Sequence, residues 1–309
     1  MIEKIVYPFL EGGRVMSQKI AVLILHGAGT PNENFADKLI DKLKKGFVKK
    51  LHDQNKEEEI VFETVFWSNI FAPEQEKLWE QLTEYRTLNL GRLRRFVLEF
   101  LADAVAYQPT RLRNQNYDQV HALIARAIQR LRIKAGEMAP LCVISHSLGT
   151  IIASNYFYDL QFKQENIGNE TKWCTSENAL EQCQTLALFY TMGSPMAMWS
   201  LRYIDFGSPI TVPSPTIQNY YPNLTGEWLN FYDKDDILAF PLKGINEAYN
   251  QAVTADIEVN AGGIFTSWNP LSHLKYDTDK EVIQPIVDGL FRTWKTVNHK
   301  MVPISEHQS

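Results

Sequence analysis

The sequence predicts an α/β fold in which helices cover both faces of a doubly wound, mostly parallel sheet. Short runs of branched and aromatic residues alternate along the chain with segments whose apolar residues repeat at helical spacing. The runs are almost continuously apolar, which is typical of strands buried on both faces. The chain of 309 residues is 45% hydrophobic and 22% charged, which supports a globular protein with a large core.

Five strands are predicted from runs that end in turn-forming residues. In chain order they cover residues 19–25, 59–67, 141–145, 185–192 and 228–233. Two helices are predicted where apolar residues recur every three or four positions, one from Val120 to Leu131 and one from Val282 to Leu290. This alternation predicts a single α/β domain over residues 1–309.

Residues 71–110 interrupt the alternation and are too many for one crossover helix. An apolar stripe at helical spacing runs along the second half of this segment: Leu93, Phe96, Val97, Phe100, Leu101 and Val105. We expect an inserted helical cap or an elaborated helical layer. Three interpretations of the stripe stay open: packing against the sheet, a lid on an apolar substrate pocket, and a helix on a membrane surface.

Two further segments, 163–183 and 199–225, are expected to be insertions, and the tail at 303–309 is expected to be disordered. The start of the chain has charged residues on both sides of its short apolar run, so no signal peptide is predicted. No run is long enough for a transmembrane helix, and a cytoplasmic protein is the expectation.

Charge and cysteine usage exclude several classes of partner and cofactor. A formal net charge of −5, with no long cluster of Lys and Arg, argues against nucleic acid as a partner. Three cysteines without a CxxC pair indicate neither a disulfide framework nor a zinc site. Cys142, inside a predicted strand, is expected to be a buried small apolar residue.

The strand at 141–145 ends in the motif Ser145-His146-Ser147-Leu148-Gly149, for which two interpretations are possible. Ser147 could cap the following helix, with Gly149 allowing that helix to approach the strand. Alternatively, Ser147 is a nucleophile on a strained strand-to-helix turn, which needs small residues two positions before and after it. Gly149 fits the second of these positions, whereas the first holds Ser145 instead of glycine.

Three other segments carry residues that a serine nucleophile needs. The stretch "LILHGAG" at 23–29 places glycines after a strand, where a backbone N–H can point into a site. A dinucleotide-binding loop is disfavoured there because Asn32 occupies the third glycine position of that motif. Residues 231–242 place Asp233, Asp235 and Asp236 directly after a strand, and His273 lies in a loop before the last helix.

The order serine, acid, histidine is that of the α/β-hydrolase triad. On the segments "HGAG", "ISHSLGT", "TMGSP", "DDIL" and "SHLKY", the sequence resembles the α/β-hydrolase superfamily and, within it, the lipase and esterase-like branch. The resemblance spans residues 20–294. It implies an α/β-hydrolase fold, and the helical cap expected at 71–110 would be an insertion into that fold.

The resemblance also implies the roles of individual residues. Ser147 matches the nucleophile and His273 the base, whereas His146 does not match the base. Asp236, which precedes Ile237 and Leu238, is the best match for the acid, and Asp233 and Asp235 are the alternatives. The oxyanion site would take one N–H from Leu148 and another from Ala28 or Gly29. No metal ion or organic cofactor has a role in this scheme.

The function expected from these residues is that of a serine esterase acting through an acyl-enzyme. The expected partner is a small-molecule or lipid ester, and peripheral contact with a membrane is compatible with the scheme. Thioester and amide substrates stay open. The alternative of another class is a binding or scaffolding protein that keeps the fold without turnover.

Overall fold

The computed structural model describes residues 10–11, 14–15, 17–84, 92–109, 115–202, 207–261, 273 and 275–298. The tail at 303–309, expected to be disordered, lies outside these residues. The strands are β1 (Leu10–Glu11), β2 (Arg14–Val15), β3 (Ile20–Leu25), β4 (Ile60–Val65), β5 (Leu141–His146), β6 (Leu186–Met192), β7 (Glu227–Tyr232) and β8 (Ala255–Glu258). The first two form a small antiparallel pair.

The other six strands form one sheet in the order β4-β3-β5-β6-β7-β8, and each neighbouring pair in it is parallel. The α-helices in the described ranges are α1 (Asp37–Leu51), α2 (Ala72–Glu84), α3 (Arg92–Tyr107), α4 (Gln115–Ala135), α5 (Leu148–Phe162), α6 (Asn169–Trp173), α7 (Met196–Trp199), α8 (Glu247–Ala252) and α9 (Lys280–Asn298). The predicted α/β class is therefore confirmed, with a sheet that is wholly parallel rather than mostly so.

Helices cover both faces of this sheet because successive side chains of a strand point to opposite sides. In β3, the even-numbered residues share a buried apolar cluster with α1 and α9. The odd-numbered residues share a second cluster with α3, α4 and α5. Burial on both faces explains why the strand runs in the sequence are almost continuously apolar.

The five strands predicted from the sequence are present, with ends that differ by one or two residues. Strand β8 was not predicted from the sequence; its four residues Ala255–Glu258 are partly exposed and lie at an edge of the sheet. Half of this strand is acidic, so it lacks the apolar run from which the other five strands of the sheet were predicted.

The segment at 71–110 contains α2 and α3. Phe100, Ala104 and Tyr107 of α3 are buried in the cluster shared with α4 and α5. Val97, Leu101 and Val105 lie on the neighbouring face of α3 and are 37%, 52% and 74% exposed. Part of the predicted stripe thus packs on the domain and part faces outward, while the side chains of Leu93 and Phe96 lie outside the described residues.

The segment at 163–183, expected to be an insertion, contains α6, and the described part of the segment at 199–225 consists mainly of irregular chain and short 3-10 turns. Among the described residues, no helix combines the length and the apolar character needed to cross a membrane.

The contrast between buried and exposed leucines can be tested on stability. Leu43 of α1 is fully buried, whereas Leu78 of α2 is 46% exposed. We expect Leu43→Ala to lower the free energy of unfolding by about 2–5 kcal/mol, because it leaves a cavity in a packed core. Leu78→Ala should cost less than about 1 kcal/mol. Urea titrations measure both values, and an equal cost at the two positions would contradict the exposure of Leu78.

Candidate active site

The predicted site residues leave the sheet at one edge because all six strands run in the same direction. Ser147 follows β5, and the loop that carries Ala28 and Gly29 follows the neighbouring strand β3. Asp236 lies in the turn after β7, which is two strands away from β5 on the other side. The parallel topology thus brings together residues that are distant along the chain.

Ser147 turns the chain from β5 directly into α5. Its backbone angles, φ 50° and ψ −128°, lie where residues with a side chain are rarely found, at a cost of about 1–3 kcal/mol. The N–H of Ser147 donates to the carbonyl oxygen of Met192 on β6 at 2.9 Å, which ties this turn to the next strand. The Ser147 side chain makes no capping hydrogen bond to α5, so the interpretation of Ser147 as a helix cap is wrong.

Small residues flank the turn for different reasons. A Cβ at Gly149 would clash with the carbonyl oxygen of His26, so glycine is needed for the close approach of α5 to the end of β3. Ser145 is fully buried in regular strand, paired with Leu25 on one side and Thr191 on the other. Because no unusual backbone angle is needed there, serine can replace the glycine of the motif.

Ser147, His273 and Asp236 form one continuous chain of hydrogen bonds. The Oγ of Ser147 lies 2.7 Å from Nε2 of His273, and Nδ1 of His273 lies 2.7 Å from Oδ2 of Asp236. An ionised carboxylate can only accept, so Nδ1 carries the proton of the neutral imidazole and Nε2 accepts from the serine hydroxyl. This is the geometry of a nucleophile, a base and an orienting acid, and all three side chains are buried.

Asp236 is held in place by donors on both of its oxygens. Oδ2 accepts from His273 and, at 2.9 Å, from the hydroxyl of Tyr276, while Oδ1 accepts from the N–H of Leu238 at 3.0 Å. Burial alone would raise the pKa of Asp236, but these hydrogen bonds and the nearby imidazole outweigh it and lower the pKa below its ordinary value. The carboxylate form is thereby stabilised.

The two alternative acids are placed differently. The carboxylate of Asp233 is buried and accepts from the N–H groups of Asp235 and Ala261, at 2.9 and 2.8 Å, which shapes the turn. The side chain of Asp235 is exposed. Of the three acids, Asp236 is the one within hydrogen-bonding distance of His273.

His146, the neighbour of Ser147, holds the histidine loop instead of acting as a base. Its Nε2 lies 2.6 Å from the carbonyl oxygen of His273, so Nε2 carries the proton and donates. Burial, with the neighbouring His273 as a further cause, lowers the pKa of His146 to about 3. A neutral His146 therefore anchors the backbone of the residue that contacts Ser147.

His26 organises the loop after β3. The backbone N–H of Trp67 donates to Nε2 of His26 at 3.2 Å, so Nδ1 carries the proton and donates to the carbonyl oxygen of Gly27 at 2.6 Å. The ring stacks on the Trp67 indole at 4.6 Å between centroids. Burial lowers the pKa of His26 to about 4, so this ring, like His146, is neutral near pH 7.

The candidate oxyanion donors are not equivalent. Leu148 is the first residue of α5, and its N–H has no carbonyl partner one helical turn earlier. The N–H of Gly29 donates to Oδ2 of Asp103 on α3 at 2.7 Å and is thereby directed to that helix. Ala28 lies between the held carbonyl of Gly27 and the held N–H of Gly29.

A cavity of about 350 Å³ opens beside Ser147 and His273. Its wall is mainly apolar and includes Phe35, Leu39 and Met192 together with the loop at 26–31. In the described ranges, the insertion at 71–110 contributes Glu99 to this wall. The same ranges hold no group of three His, Cys, Asp or Glu side chains arranged to hold a metal ion.

No protein-family model matches the chain, and no curated protein matches it either. The α/β class is shown by the structure, and the resemblance to the α/β-hydrolase superfamily stays a prediction from the sequence motifs.

Sequence reasoning missed several residues that position the site. Tyr276 accepts from the N–H of Asp233 at 2.8 Å and donates to Asp236, and Asp103 holds the loop after β3. Tyr276 lies three residues after His273, in the segment "SHLKY" on which the resemblance was based. Nothing in the sequence distinguishes Asp103 from an ordinary surface residue, because a single acid in an amphipathic helix is usually exposed to solvent.

The neutral state of His146 predicts a pH-dependent stability. Its pKa is lowered from 6.5 to about 3 in the folded protein, so below pH 6.5 the unfolded chain binds a proton that the folded protein does not. The contribution of His146 to stability is fully present above pH 6.5 and is lost as the pH falls towards the folded pKa. His146→Asn keeps a side-chain donor for the His273 carbonyl and removes this titration.

We expect the free energy of unfolding of the wild type to fall more steeply than that of His146→Asn, by up to about 1.4 kcal/mol per pH unit. Urea titrations at pH 7, 6 and 5 measure the difference, and other titrating groups cancel between the two proteins. Parallel curves would show that His146 is not held neutral.

Proposed function

We propose that the protein is a serine hydrolase of the α/β-hydrolase superfamily, in the lipase and esterase-like branch, that cleaves carboxylic esters. The observation that carries this proposal is the chain of hydrogen bonds from Ser147 through His273 to Asp236, which begins on a strained strand-to-helix turn. Maintaining such a turn costs stability, and strain of this kind is found preferentially at functional sites.

In the acylation step, the Oγ of Ser147 attacks the ester carbonyl while its proton passes to Nε2 of His273. Asp236 keeps His273 in the reactive tautomer and stabilises the imidazolium that forms. The negative charge that develops on the carbonyl oxygen is stabilised by the N–H groups of Leu148 and Ala28. The imidazolium then protonates the departing alkoxide, which leaves as the alcohol, and the acyl group remains on Ser147.

In the deacylation step, a water molecule takes the place of the alcohol. His273 removes a proton from the water as its oxygen attacks the acyl carbonyl. Collapse of the second tetrahedral intermediate returns the proton to Oγ of Ser147 and releases the carboxylic acid. The scheme consumes one water per ester bond and needs no group beyond those of the chain itself.

The cavity supports an ester substrate with an apolar acyl or alcohol group. Its volume of about 350 Å³ and its apolar wall are suited to a small ligand. The proposal also includes lipid acyl esters, which are larger substrates. The exposed apolar residues of α3, Val97, Leu101 and Val105, are compatible with a lipid substrate. Short-chain chromogenic esters are the direct first test of activity.

We expect Ser147→Ala and His273→Ala each to lower kcat by roughly four to six orders of magnitude on p-nitrophenyl butyrate. The double variant should lose little more, because the two residues act as a unit. A fluorophosphonate probe should label the wild type and fail to label Ser147→Ala.

Ser145→Ala is the matched control for the Ser147 variant. It removes a hydroxyl two residues away whose hydrogen bond, to the carbonyl oxygen of Tyr190 at 3.4 Å, is long. This variant should keep turnover within about tenfold of the wild type. If the wild-type protein neither hydrolyses the ester nor reacts with the probe, the scaffolding alternative takes the place of the enzyme.

A second experiment identifies the acid. Asp236→Asn should lower kcat by about four orders of magnitude, because an amide at this position favours the wrong tautomer of His273. Asp235→Asn is the control, since Asp235 is exposed in the same turn, and it should leave kcat within about threefold. A larger loss at Asp235 than at Asp236 would place the catalytic acid elsewhere in the turn.

A further inference from the structure

Asp103 on α3 makes an unusual contact with the loop after β3. It is 1% exposed, and its Oδ2 accepts the backbone N–H of Gly29 at 2.7 Å. Its Oδ1 accepts from the amide of Gln75 on α2 at 2.5 Å. A carboxylate is costly to bury unless donors satisfy it, and here one donor comes from the loop and one from a neighbouring helix.

The contact determines which N–H groups of the loop can face a substrate. Because a trans peptide places its C=O and N–H on opposite sides, the bond from His26 to the Gly27 carbonyl directs the N–H of Ala28 the other way. The bond to Asp103 withdraws the N–H of Gly29 from the cavity side. The loop is thus held at the peptide groups on both sides of Ala28.

Gly29 also depends on this contact for its conformation. Its φ is +85°, in the left-handed region that glycine adopts without strain. Glycine adopts other backbone conformations as readily, so the residue type alone does not fix this one. A glycine in a loop has many accessible conformations, so a specific partner is needed to keep its N–H in one direction. Asp103 supplies that partner from outside the loop.

We infer that Asp103 is a positioning residue of the proposed reaction, which holds the loop at 27–29 so that Ala28 supplies the oxyanion N–H. This inference rests on the proposed function. The helical insertion at 71–110 then has a defined role, because α2 and α3 support the oxyanion site through Gln75 and Asp103.

Asp103→Leu tests the inference because leucine has a similar size and cannot accept the N–H of Gly29. On p-nitrophenyl butyrate, kcat should fall by about 10- to 100-fold while KM changes less than about threefold, since the donor acts in the transition state. The affinity for a trifluoromethyl ketone, whose adduct carries an oxyanion, should fall by the same factor as kcat.

Asp103→Asn is the conservative variant. Its Oδ1 can still accept from Gly29, and its NH₂ group can donate to Gln75 once the Gln75 amide is turned over. This variant should therefore keep kcat within about threefold of the wild type.

Ala104→Gly is the matched control for stability. It weakens α3 at the adjacent position by about 1 kcal/mol and leaves the side chain of Asp103 intact. A purely structural role for Asp103 predicts that Ala104→Gly and Asp103→Leu lower the melting temperature and leave kcat per folded molecule unchanged. Retention of kcat in folded Asp103→Leu, or equal losses in the Leu and Asn variants, would overturn the inference.

Should Asp103→Leu fail to fold, Gln75→Leu carries the same test, because it removes the donor that orients the Asp103 carboxylate. A fall in kcat of about threefold or more at constant KM supports the inference, and an unchanged kcat overturns it. Failure of the proposed function is distinguishable, since the wild-type protein would then lack both ester hydrolysis and labelling by the fluorophosphonate probe.

Discussion

The close passage of α5 beneath the end of β3 is the constraint on which the site depends. Without a side chain at Gly149, the first turn of α5 lies against the carbonyl oxygen of His26, and Ser147 is then forced into a strained conformation. The packed sheet maintains this turn, because β5 lies between β3 and β6 and is hydrogen-bonded to both. The closely packed core holds Ser147 in this conformation and prevents the turn from relaxing.

The same constraint places the nucleophile next to the loop after β3. A Cβ at Gly27 would lie 2.7 Å from the Cβ of Ser147, so the loop and the turn are in direct contact. Gly27 and Gly149 therefore serve one purpose, the close approach of two backbones. Polar N–H groups and a hydroxyl are concentrated there at the edge of an otherwise apolar core.

Buried polar side chains around the site are each matched to a specific partner. His26 and His146 are neutral, and each uses its single N–H to hold a backbone carbonyl, that of Gly27 or that of His273. Tyr276 connects the backbone of Asp233 with the carboxylate of Asp236. Such hydrogen-bonded networks keep rigid the groups that the proposed reaction needs in fixed positions. Both histidines become unfavourable to bury once they are protonated, which links the integrity of the site to pH.

The α/β class, five of the strands, the segments of the site and the order of the candidate residues follow from the sequence, because apolar runs and small-residue turns are local signals. Asp236 was the best match among three acids, but its contact with His273 depends on how the turn after β7 folds against a loop 37 residues later. The distinction between Ala28 and Gly29 likewise depends on Asp103, 74 residues beyond Gly29. Tertiary packing decides which distant residues form hydrogen bonds, because a hydrogen bond depends on the distance and angle between two groups. The order of residues along the chain does not specify these distances and angles.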